Sequence, residues 1–247
     1  MEFTFDVNGF EVCAEYSERS INDIFVPLIE KWTQLYFESG RRIIVFLSAP
    51  PGTGKSTLVC FLEYLSSLIP DAVPIQCAGL DGFHYHQEYI LTHDAVVEGK
   101  TVPMKSVKGC PETFDISKLK AKLSELRKGS TKWPIYDRNL HDVVEDVIEL
   151  NESIILIEGN WLLSTEGEWH ELISYCDYSV FISAEPDDLM ARLIGRKIRG
   201  GKSYDEAKEF YFTSDKRNIE RLMANHHIAD TELTMAPDGE FLGMISE

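Results

Sequence analysis

A glycine-rich segment in the first quarter of the chain has the residue types that bind phosphate groups. It reads Ala49-Pro50-Pro51-Gly52-Thr53-Gly54-Lys55-Ser56. The two glycines let backbone N–H groups turn toward phosphate oxygens, and the lysine carries a charge that reaches the terminal phosphates. The serine offers a hydroxyl to Mg²⁺, and the start of a following helix adds partial positive charge. This Walker A pattern, with Ala49 in place of the first glycine, predicts a nucleotide site formed by Gly52, Thr53, Gly54, Lys55, Ser56 and Thr57.

Two carboxylates follow apolar segments elsewhere in the chain. Asp81 comes after the apolar residues 73–80, where it could accept the proton of an attacking hydroxyl or orient that hydroxyl for in-line attack. An aspartate before glycine also caps turns, and this alternative stays open. Glu158 comes after the apolar residues 153–157. An acidic residue in that position is the Walker B arrangement, which binds Mg²⁺ directly or through water, although an exposed strand-end glutamate is the simpler alternative.

A basic helical face is a third feature that could do chemistry. Arg192, Arg196 and Arg199 are spaced so that one face of a helix presents all three. The whole chain has a formal net charge of −17, so an anionic ligand needs such a local concentration of positive charge. We expect Arg192 and Arg196 to close over the phosphates as a lid spanning about residues 192–205. The alternative is a solvated basic face that pairs with acidic neighbours.

The elements that must position these residues are short apolar runs alternating with amphipathic helices. Strands are predicted over residues 43–49, 73–80, 153–157 and 178–183, and helices over 55–68, 116–128, 187–199 and 204–225. Continuous apolar runs are typical of parallel strands that are buried on both faces. The order predicts an α/β fold with a doubly wound, mostly parallel sheet, which binds its ligands at the carboxyl ends of the strands.

An N-terminal extension, residues 1–41, precedes this pattern. Alternation over residues 1–12 predicts a hairpin, and the apolar spacing over 21–37 predicts a helix. We expect the remainder, residues 42–247, to form one domain around a large core. The apolar residues Phe25, Leu28 and Trp32 of the extension could form a homodimer contact as easily as part of that core.

Composition and missing motifs exclude several classes of function. The net charge of −17 argues against nucleic acid or an anionic membrane as a partner. There is no apolar stretch of roughly 20 residues and no signal peptide pattern, so we expect a soluble, cytoplasmic protein. A GTPase is disfavoured because no N-K-x-D motif occurs and the D-x-x-G at residues 6–9 precedes the phosphate-binding segment.

Several motifs in one order carry a family resemblance. They are APPGTGKST at 49–57, DGFHYH at 81–86, KGCPETFD at 108–115, PIYDR at 134–138, IEGNWLL at 157–163, RLIGRKIRGG at 192–201 and Ala229-Asp230. Over about residues 42–233 the chain resembles the P-loop small-molecule kinases that include uridine kinase, pantothenate kinase, phosphoribulokinase and nicotinamide riboside kinase. The resemblance is strongest to a bacterial branch described as nucleoside/nucleotide kinase-like or fructose transport system kinase.

The resemblance implies a role for individual residues. Asp81 takes the role of catalytic base, Glu158 joins Ser56 in binding Mg²⁺, and Lys55 acts with the lid residues Arg192 and Arg196 in catalysis. The residues implied to bind the acceptor are Asp81, His84, Lys108, Tyr136, Arg138, Asn160 and Trp161. Trp161 departs from the smaller or tyrosyl residue expected there, so the shape of the acceptor pocket stays open.

The sequence thus predicts a kinase that uses ATP and Mg²⁺ to phosphorylate a hydroxyl of a small metabolite, such as a nucleoside, a vitamin or a sugar. One alternative is a nucleotide-binding regulatory or assembly ATPase without an acceptor. Another is a nucleoside monophosphate kinase, in which Arg138 and Lys108 would grip an acceptor phosphate. A zinc site built on the histidines His84 and His86 is a less favoured hypothesis.

Overall fold

A computed structural model describes residues 2–7 and 10–243. The strands are β1 (Glu2–Val7), β2 (Phe10–Glu15), β3 (Ile43–Ser48), β4 (Ile75–Gly79), β5 (Asp94–Val97), β6 (Lys100–Pro103), β7 (Thr131–Asp137), β8 (Asp142–Leu150), β9 (Ile154–Gly159), β10 (Tyr178–Ala184), β11 (Thr231–Met235) and β12 (Phe241–Leu242). The α-helices are α1 (Glu18–Ser20), α2 (Val26–Ser39), α3 (Lys55–Ser66), α4 (Gln87–Thr92), α5 (Ile116–Lys128), α6 (Pro186–Arg199), α7 (Tyr204–Phe210) and α8 (Lys216–Ala224). Short π-helical turns at Ile21–Phe25 and Tyr211–Asp215 join α1 to α2 and α7 to α8.

The central sheet has the strand order β12-β11-β10-β3-β9-β4, and all of its pairs are parallel except β11 with β12. Strand β9 therefore lies between β3, which precedes the Walker A segment, and β4, which precedes Asp81. The register places Glu158 beside Leu47 on one side and Gly79 on the other. This arrangement confirms the predicted doubly wound, mostly parallel α/β sheet.

Helices cover both faces of the sheet and so create two apolar cores. Every residue of β3 is buried, which explains why its sequence IIVFLS has no polar alternation. One core contains Phe25, Trp32 and Phe61. The other core contains Trp133 and Trp161. The strand ends between the two cores are therefore held from both sides.

The predicted elements of the central sheet and its helices are confirmed within a few residues, but the helices predicted over 21–37 and 204–225 each contain a π-helical turn. The helix predicted over 116–128 is α5, but the helix predicted over 204–225 is interrupted by a π-helical turn. Its N-terminus carries a capping box between Ser203 and Glu206. Sequence reasoning missed the antiparallel ribbons β5–β6 and β7–β8 and the strand β11. The ribbons lie outside the central sheet, so their sequences lack the continuous apolar runs that identify buried strands.

In the N-terminal extension, strands β1 and β2 pair antiparallel, helix α2 follows, and this segment packs onto α3. The ring centroids of Phe3 and Phe61 are 4.6 Å apart, as are those of Tyr16 and Phe61. Phe25, Leu28 and Trp32, at 0–1% exposure, belong to the core and offer no surface for a homodimer contact. Whether residues 1–41 behave as a separate unit stays a prediction. Within the described residues, no helix combines the length and apolar character needed to cross a membrane.

Candidate active site

The Walker A segment is a tight loop between β3 and α3. Gly52 and Gly54 have φ values of 96° and 82°, a region that residues with a side chain rarely adopt, so glycine is required at both positions. The Thr53 hydroxyl donates a 3.0 Å hydrogen bond to the carbonyl of Pro50 and closes the loop. Helix α3 begins at Lys55, directly after the loop. The backbone N–H groups and the partial positive charge of the helix therefore face the same space, which suits an anion.

Ser56 and Glu158 meet where β3 and β9 end. The Ser56 hydroxyl donates a 2.7 Å hydrogen bond to Glu158 Oε1. Hydroxyl and carboxylate oxygens are the hard ligands that Mg²⁺ prefers, so this pair fits the predicted metal site. Burial raises the pKa of Glu158, and the neighbouring Lys55 ammonium acts in the opposite direction. A cation placed here would compensate a carboxylate that is otherwise unfavourable to ionise.

Lys55 lies at the centre of the site. Burial lowers its pKa, while the negative charges of Glu158 and Asp81 act to raise it. The positive charges of Arg196 and Arg138 reach the same ammonium group and favour its neutral form. These five side chains come from the ends of different elements, so the structure brings together the residues that the sequence predicted separately.

Asp81 sits in a 3₁₀ turn, Leu80–Phe83, that continues from β4, and its side chain is exposed. The turn packs closely against β7. The backbone of Pro134 approaches Gly82 so nearly that an added Cβ would lie 2.2 Å from the Pro134 carbonyl oxygen. Trp133 Nε1 donates a 2.9 Å hydrogen bond to the carbonyl of Gly79. Asp81 is therefore part of a turn, which agrees with the turn-capping alternative. Its negative charge also acts on Lys55, which agrees with a place in the site.

The predicted lid helix, α6, lies across the Walker A loop. Leu193 packs against Gly52, where an added Cβ would be 3.1 Å from Leu193 Cγ. Arg192 Nε donates a 2.9 Å hydrogen bond to the carbonyl of Gly52. Partial burial and the like charge of Arg138 lower the pKa of Arg196. Arg192 and Arg196 thus border the nucleotide site.

Lys197 points away from the phosphate-binding loop. It pairs with Asp215 at 3.6 Å and lies 3.5 Å from the ring centroid of Phe210. Sequence reasoning did not single out Asp215, which is buried in the π-helical turn before α8. A charged residue within an apolar helical pattern could have indicated it.

The acceptor side of the site is built around His84. Its ring packs against that of Phe114 at a tilt of 37°, with centroids 3.8 Å apart, and its Nδ1 donates to the carbonyl of Asp81 at 2.9 Å. Burial lowers the pKa of His84, so the ring is neutral near pH 7. Lys108 donates to the hydroxyl of Tyr136 at 2.8 Å, and the Tyr136 ring lies 5.7 Å from that of His84.

Asn160 and Trp161 have different environments. Asn160 Oδ1 is buried and has no hydrogen-bond partner among the described residues, so it is an acceptor that a ligand could satisfy. Trp161 is fully buried, and its Nε1 donates to the carbonyl of Gly109 at 2.9 Å. Trp161 therefore supports the backbone beside Lys108, and a direct contact with an acceptor stays a prediction.

The histidines near the site do not form a metal cluster with other ligands. His86 lies 3.3 Å from both Asp142 and Glu145. In the part of the chain that the structure describes, no three His, Cys, Asp or Glu side chains are grouped closely enough to hold a metal ion. The zinc hypothesis therefore has no geometric support within residues 2–7 and 10–243.

Comparisons with known proteins show several relatives over most of the chain. An uncharacterised Escherichia coli protein named YggC is 39% identical over 242 residues, which is 98% of each chain. A Schizosaccharomyces pombe protein provisionally named uridine kinase is 26% identical over 211 residues, 78% of this chain and 86% of that protein. Enterococcus faecalis pantothenate kinase is 25% identical over 193 residues, 70% of this chain and 60% of that enzyme. The chain thus spans less than two thirds of the length of this pantothenate kinase.

A solved structure agrees with the fold. The crystal structure of a Silicibacter protein, provisionally described as a fructose transport system kinase, superposes with a TM-score of 0.71 and 26% sequence identity. The match covers 83% of this chain and 98% of that structure. No family model matches the chain.

Proposed function

The chain belongs to the P-loop small-molecule kinase family that includes pantothenate kinase and uridine kinase, and from this premise we propose that it transfers the γ-phosphoryl group of ATP to a hydroxyl of a small metabolite. The acceptor classes that we propose are nucleosides, vitamins and sugars. The observation that supports this most directly is the convergence of Lys55, Asp81 and Glu158 beside the Walker A loop.

Each part of the site has a task in this proposal. The loop N–H groups and Lys55 hold the phosphates of ATP, and Arg192 and Arg196 cover them from α6. Bound Mg²⁺, held by Ser56 and Glu158, would neutralise charge that develops on the phosphate oxygens. Asp81 orients the acceptor hydroxyl and accepts its proton as the oxygen attacks phosphorus. Closure of α6 excludes water, which would otherwise hydrolyse ATP.

The acceptor side of the site supports a kinase over a regulatory or assembly ATPase. Such an ATPase needs the phosphate-binding loop and a metal site, but it has no use for a second set of ligand-binding groups. Here His84, Lys108 and Tyr136 form a connected polar group on the far side of Asp81. A polar surface positioned opposite the donor phosphates is what an acceptor requires.

The proposal is tested by acceptor-dependent release of ADP. The purified chain is incubated with Mg-ATP and each member of a panel of nucleosides, nucleoside monophosphates, pantothenate, nicotinamide riboside, hexoses and sugar phosphates. We expect at least one acceptor to raise ADP release above the rate without acceptor. If none does, and slow hydrolysis is the sole activity, the regulatory ATPase is favoured and the kinase proposal is wrong.

The matched variant for this assay is Asp81→Asn. Loss of the general base should lower the acceptor-dependent rate by roughly 10²- to 10⁴-fold while ATP binding is retained. Asp71→Asn is the control, because Asp71 is an exposed loop residue with φ 65°, a conformation that asparagine also adopts. Equal rates for Asp81→Asn and the wild-type chain would contradict the proposed role of Asp81.

A further inference from the structure

Lys108 is a fixed, partly shielded cation on the acceptor side of the site. It lies between the 3₁₀ turns Met104–Val107 and Pro111–Thr113. The next residue, Gly109, has φ 95°, donates its N–H to the Thr113 hydroxyl at 3.1 Å, and accepts from Trp161 Nε1 at 2.9 Å. The backbone at Lys108 is therefore held by the fold.

The partners of Lys108 are neutral. Its ammonium donates to Gln87 Oε1 at 2.7 Å and to the Tyr136 hydroxyl at 2.8 Å, and it lies 4.8 Å from the centroid of the Tyr136 ring. An ammonium group has three N–H donors, so one remains for another acceptor. Among the residues that the structure describes, no carboxylate lies within 4.0 Å of this ammonium.

Four of the six other half-buried lysines pair with acids. The pairs are Lys118 with Glu145, Lys120 with Glu168 and Glu171, Lys122 with Glu125 and Asp146, and Lys197 with Asp215. The other two are Lys31 and Lys55, and Lys55 belongs to the Walker A segment, whose expected ligand is an anion. Lys108 resembles Lys55 in this respect, since partly buried charges are normally compensated and its partners are neutral. The position suits a negative charge that a ligand brings.

Lys108 and Asp81 are placed so that one ligand could contact both. His84 links the two groups, because its Nδ1 donates to the carbonyl of Asp81 at 2.9 Å and its ring centroid lies 5.7 Å from that of Tyr136. Tyr136 lies next to both Lys108 and His84, because its hydroxyl accepts a hydrogen bond from Lys108 and its ring approaches that of His84. A ligand that places a hydroxyl at Asp81 can therefore extend past His84 to the ammonium group.

We infer that the acceptor carries an anionic group, a carboxylate or a phosphate, which Lys108 binds while the acceptor hydroxyl lies at Asp81. This inference rests on the proposed kinase function, and it narrows the acceptor to anionic metabolites. Gln87 and Tyr136 hold the ammonium in place, so the site is organised before the anion binds. The protein's overall negative charge makes such a local contact necessary, because the bulk field repels anions.

Charge-matched acceptor pairs test the inference. The pairs are pantothenate and panthenol, ribose 5-phosphate and ribose, and uridine monophosphate and uridine, each assayed for ADP release with Mg-ATP. We expect the wild-type chain to prefer the anionic member of a pair. Lys108→Met should lower kcat/KM for that member by roughly 10- to 100-fold, the usual effect of a hydrogen bond to a charged group. The neutral member should change by less than about threefold.

The control variant is Lys105→Met. Lys105 is an exposed lysine in the neighbouring 3₁₀ turn, so its loss changes the net charge equally without touching the site. Equal kcat/KM for wild-type and Lys105→Met enzymes would assign the effect to the position of Lys108. Thermal unfolding of both variants establishes that they are folded. The carboxylate and phosphate pairs, compared with each other, identify which anion is bound.

Calorimetric binding of the same compounds in the presence of Mg-ADP separates the two proposals. Anion binding that depends on Lys108, without ADP release from any member of a pair, supports an anion site at Lys108 but contradicts the kinase function and with it the anionic acceptor. Equal use of both members of every pair, with Lys108→Met affecting them alike, supports the kinase and overturns the anionic acceptor. If no anionic member binds or reacts better than its neutral partner, the inference is wrong.

Discussion

His84 illustrates at the residue scale how burial sets a chemical role. Its Nδ1 must carry the proton, because the Asp81 carbonyl to which it bonds can only accept. A neutral ring then leaves Nε2 as a hydrogen-bond acceptor. Phe114 covers one face of the ring, so protonation would place a charge against an aromatic surface with little water. The residue is thus suited to orient a ligand hydroxyl rather than to bind an anion.

The lowered pKa of His84 predicts a pH dependence of stability. In the unfolded chain the imidazole protonates near its ordinary pKa of 6.5, whereas the folded chain keeps it neutral to lower pH. The free energy of unfolding therefore falls as pH drops below about 6.5, by at most about 1.4 kcal/mol per pH unit. Above that pH this contribution is fully present. We expect His84→Asn to flatten the change measured by urea unfolding between pH 7 and pH 5.

The control for this measurement is His141→Asn. His141 is exposed and has φ 55°, which asparagine tolerates. We expect it to keep the wild-type slope of unfolding free energy against pH. A slope for His84→Asn equal to that of the wild-type chain would contradict the lowered pKa of the half-buried His84.

The predictability of the residues themselves differs between the two sides of the site. The phosphate-binding residues can be found from the sequence, because each interacts with a phosphate group or a metal ion and their spacing is fixed. They are Gly52, Gly54, Lys55 and Ser56. Asp215 has no such fixed spacing to its partner, because its pairing with Lys197 depends on how α6 packs against the π-helical turn before α8.

At the element scale, strand β7 determines where Asp81 lies. The ribbon formed by β7 and β8 covers the turn after β4, and the backbone at Pro134 contacts Gly82 without space for a side chain. The sequence shows a Pro inside this segment and polar alternation in β8, so no buried strand is indicated there. By contrast β3, β9 and β10 are predictable, because strands that are covered on both faces are mostly apolar.

Gly82→Ala tests this clamp. The added Cβ would overlap the Pro134 carbonyl, so the turn carrying Asp81 must shift. We expect a loss of about 1–3 kcal/mol in the free energy of unfolding, together with a lower kcat for the acceptor-dependent reaction. Urea unfolding and ADP release measure the two effects. Gly129→Ala is the control, since its backbone is extended and no atom lies within 4 Å of the added Cβ.

A small effect of Gly82→Ala, equal to that of Gly129→Ala, would show that β7 yields easily and does not hold Asp81. The opposite result would establish that the catalytic turn is positioned by an element outside the central sheet. The position of Asp81, the proposed general base, is then a property of the β7–β8 ribbon as much as of β4.

At the scale of the whole molecule, residues 17–25 contact residues 240–241 beside helix α3. The hydroxyls of Ser17 and Ser20 donate to Glu240 Oε2 at 2.5 Å and 2.6 Å. Phe25 lies 5.8 Å from Phe61 of α3 and 5.7 Å from Phe241 of β12, measured between ring centroids. Sequence reasoning separated residues 1–41 because their pattern differs, and it could not show which surface they cover. These contacts lead us to propose that the extension and the remainder unfold together.

Phe25→Ala tests this unity by hydrogen exchange. If α2 and β3 belong to one cooperative unit, the variant lowers the opening free energy of both by the same amount, about 3–5 kcal/mol for a buried phenylalanine. Phe37→Ala, in α2, is the control, because Phe37 is 67% exposed and its loss should change either value by less than about 0.5 kcal/mol. Protection lost in α2 but retained in β3 would mean that the extension opens independently of the active site, since β3 leads directly into the loop that holds phosphate.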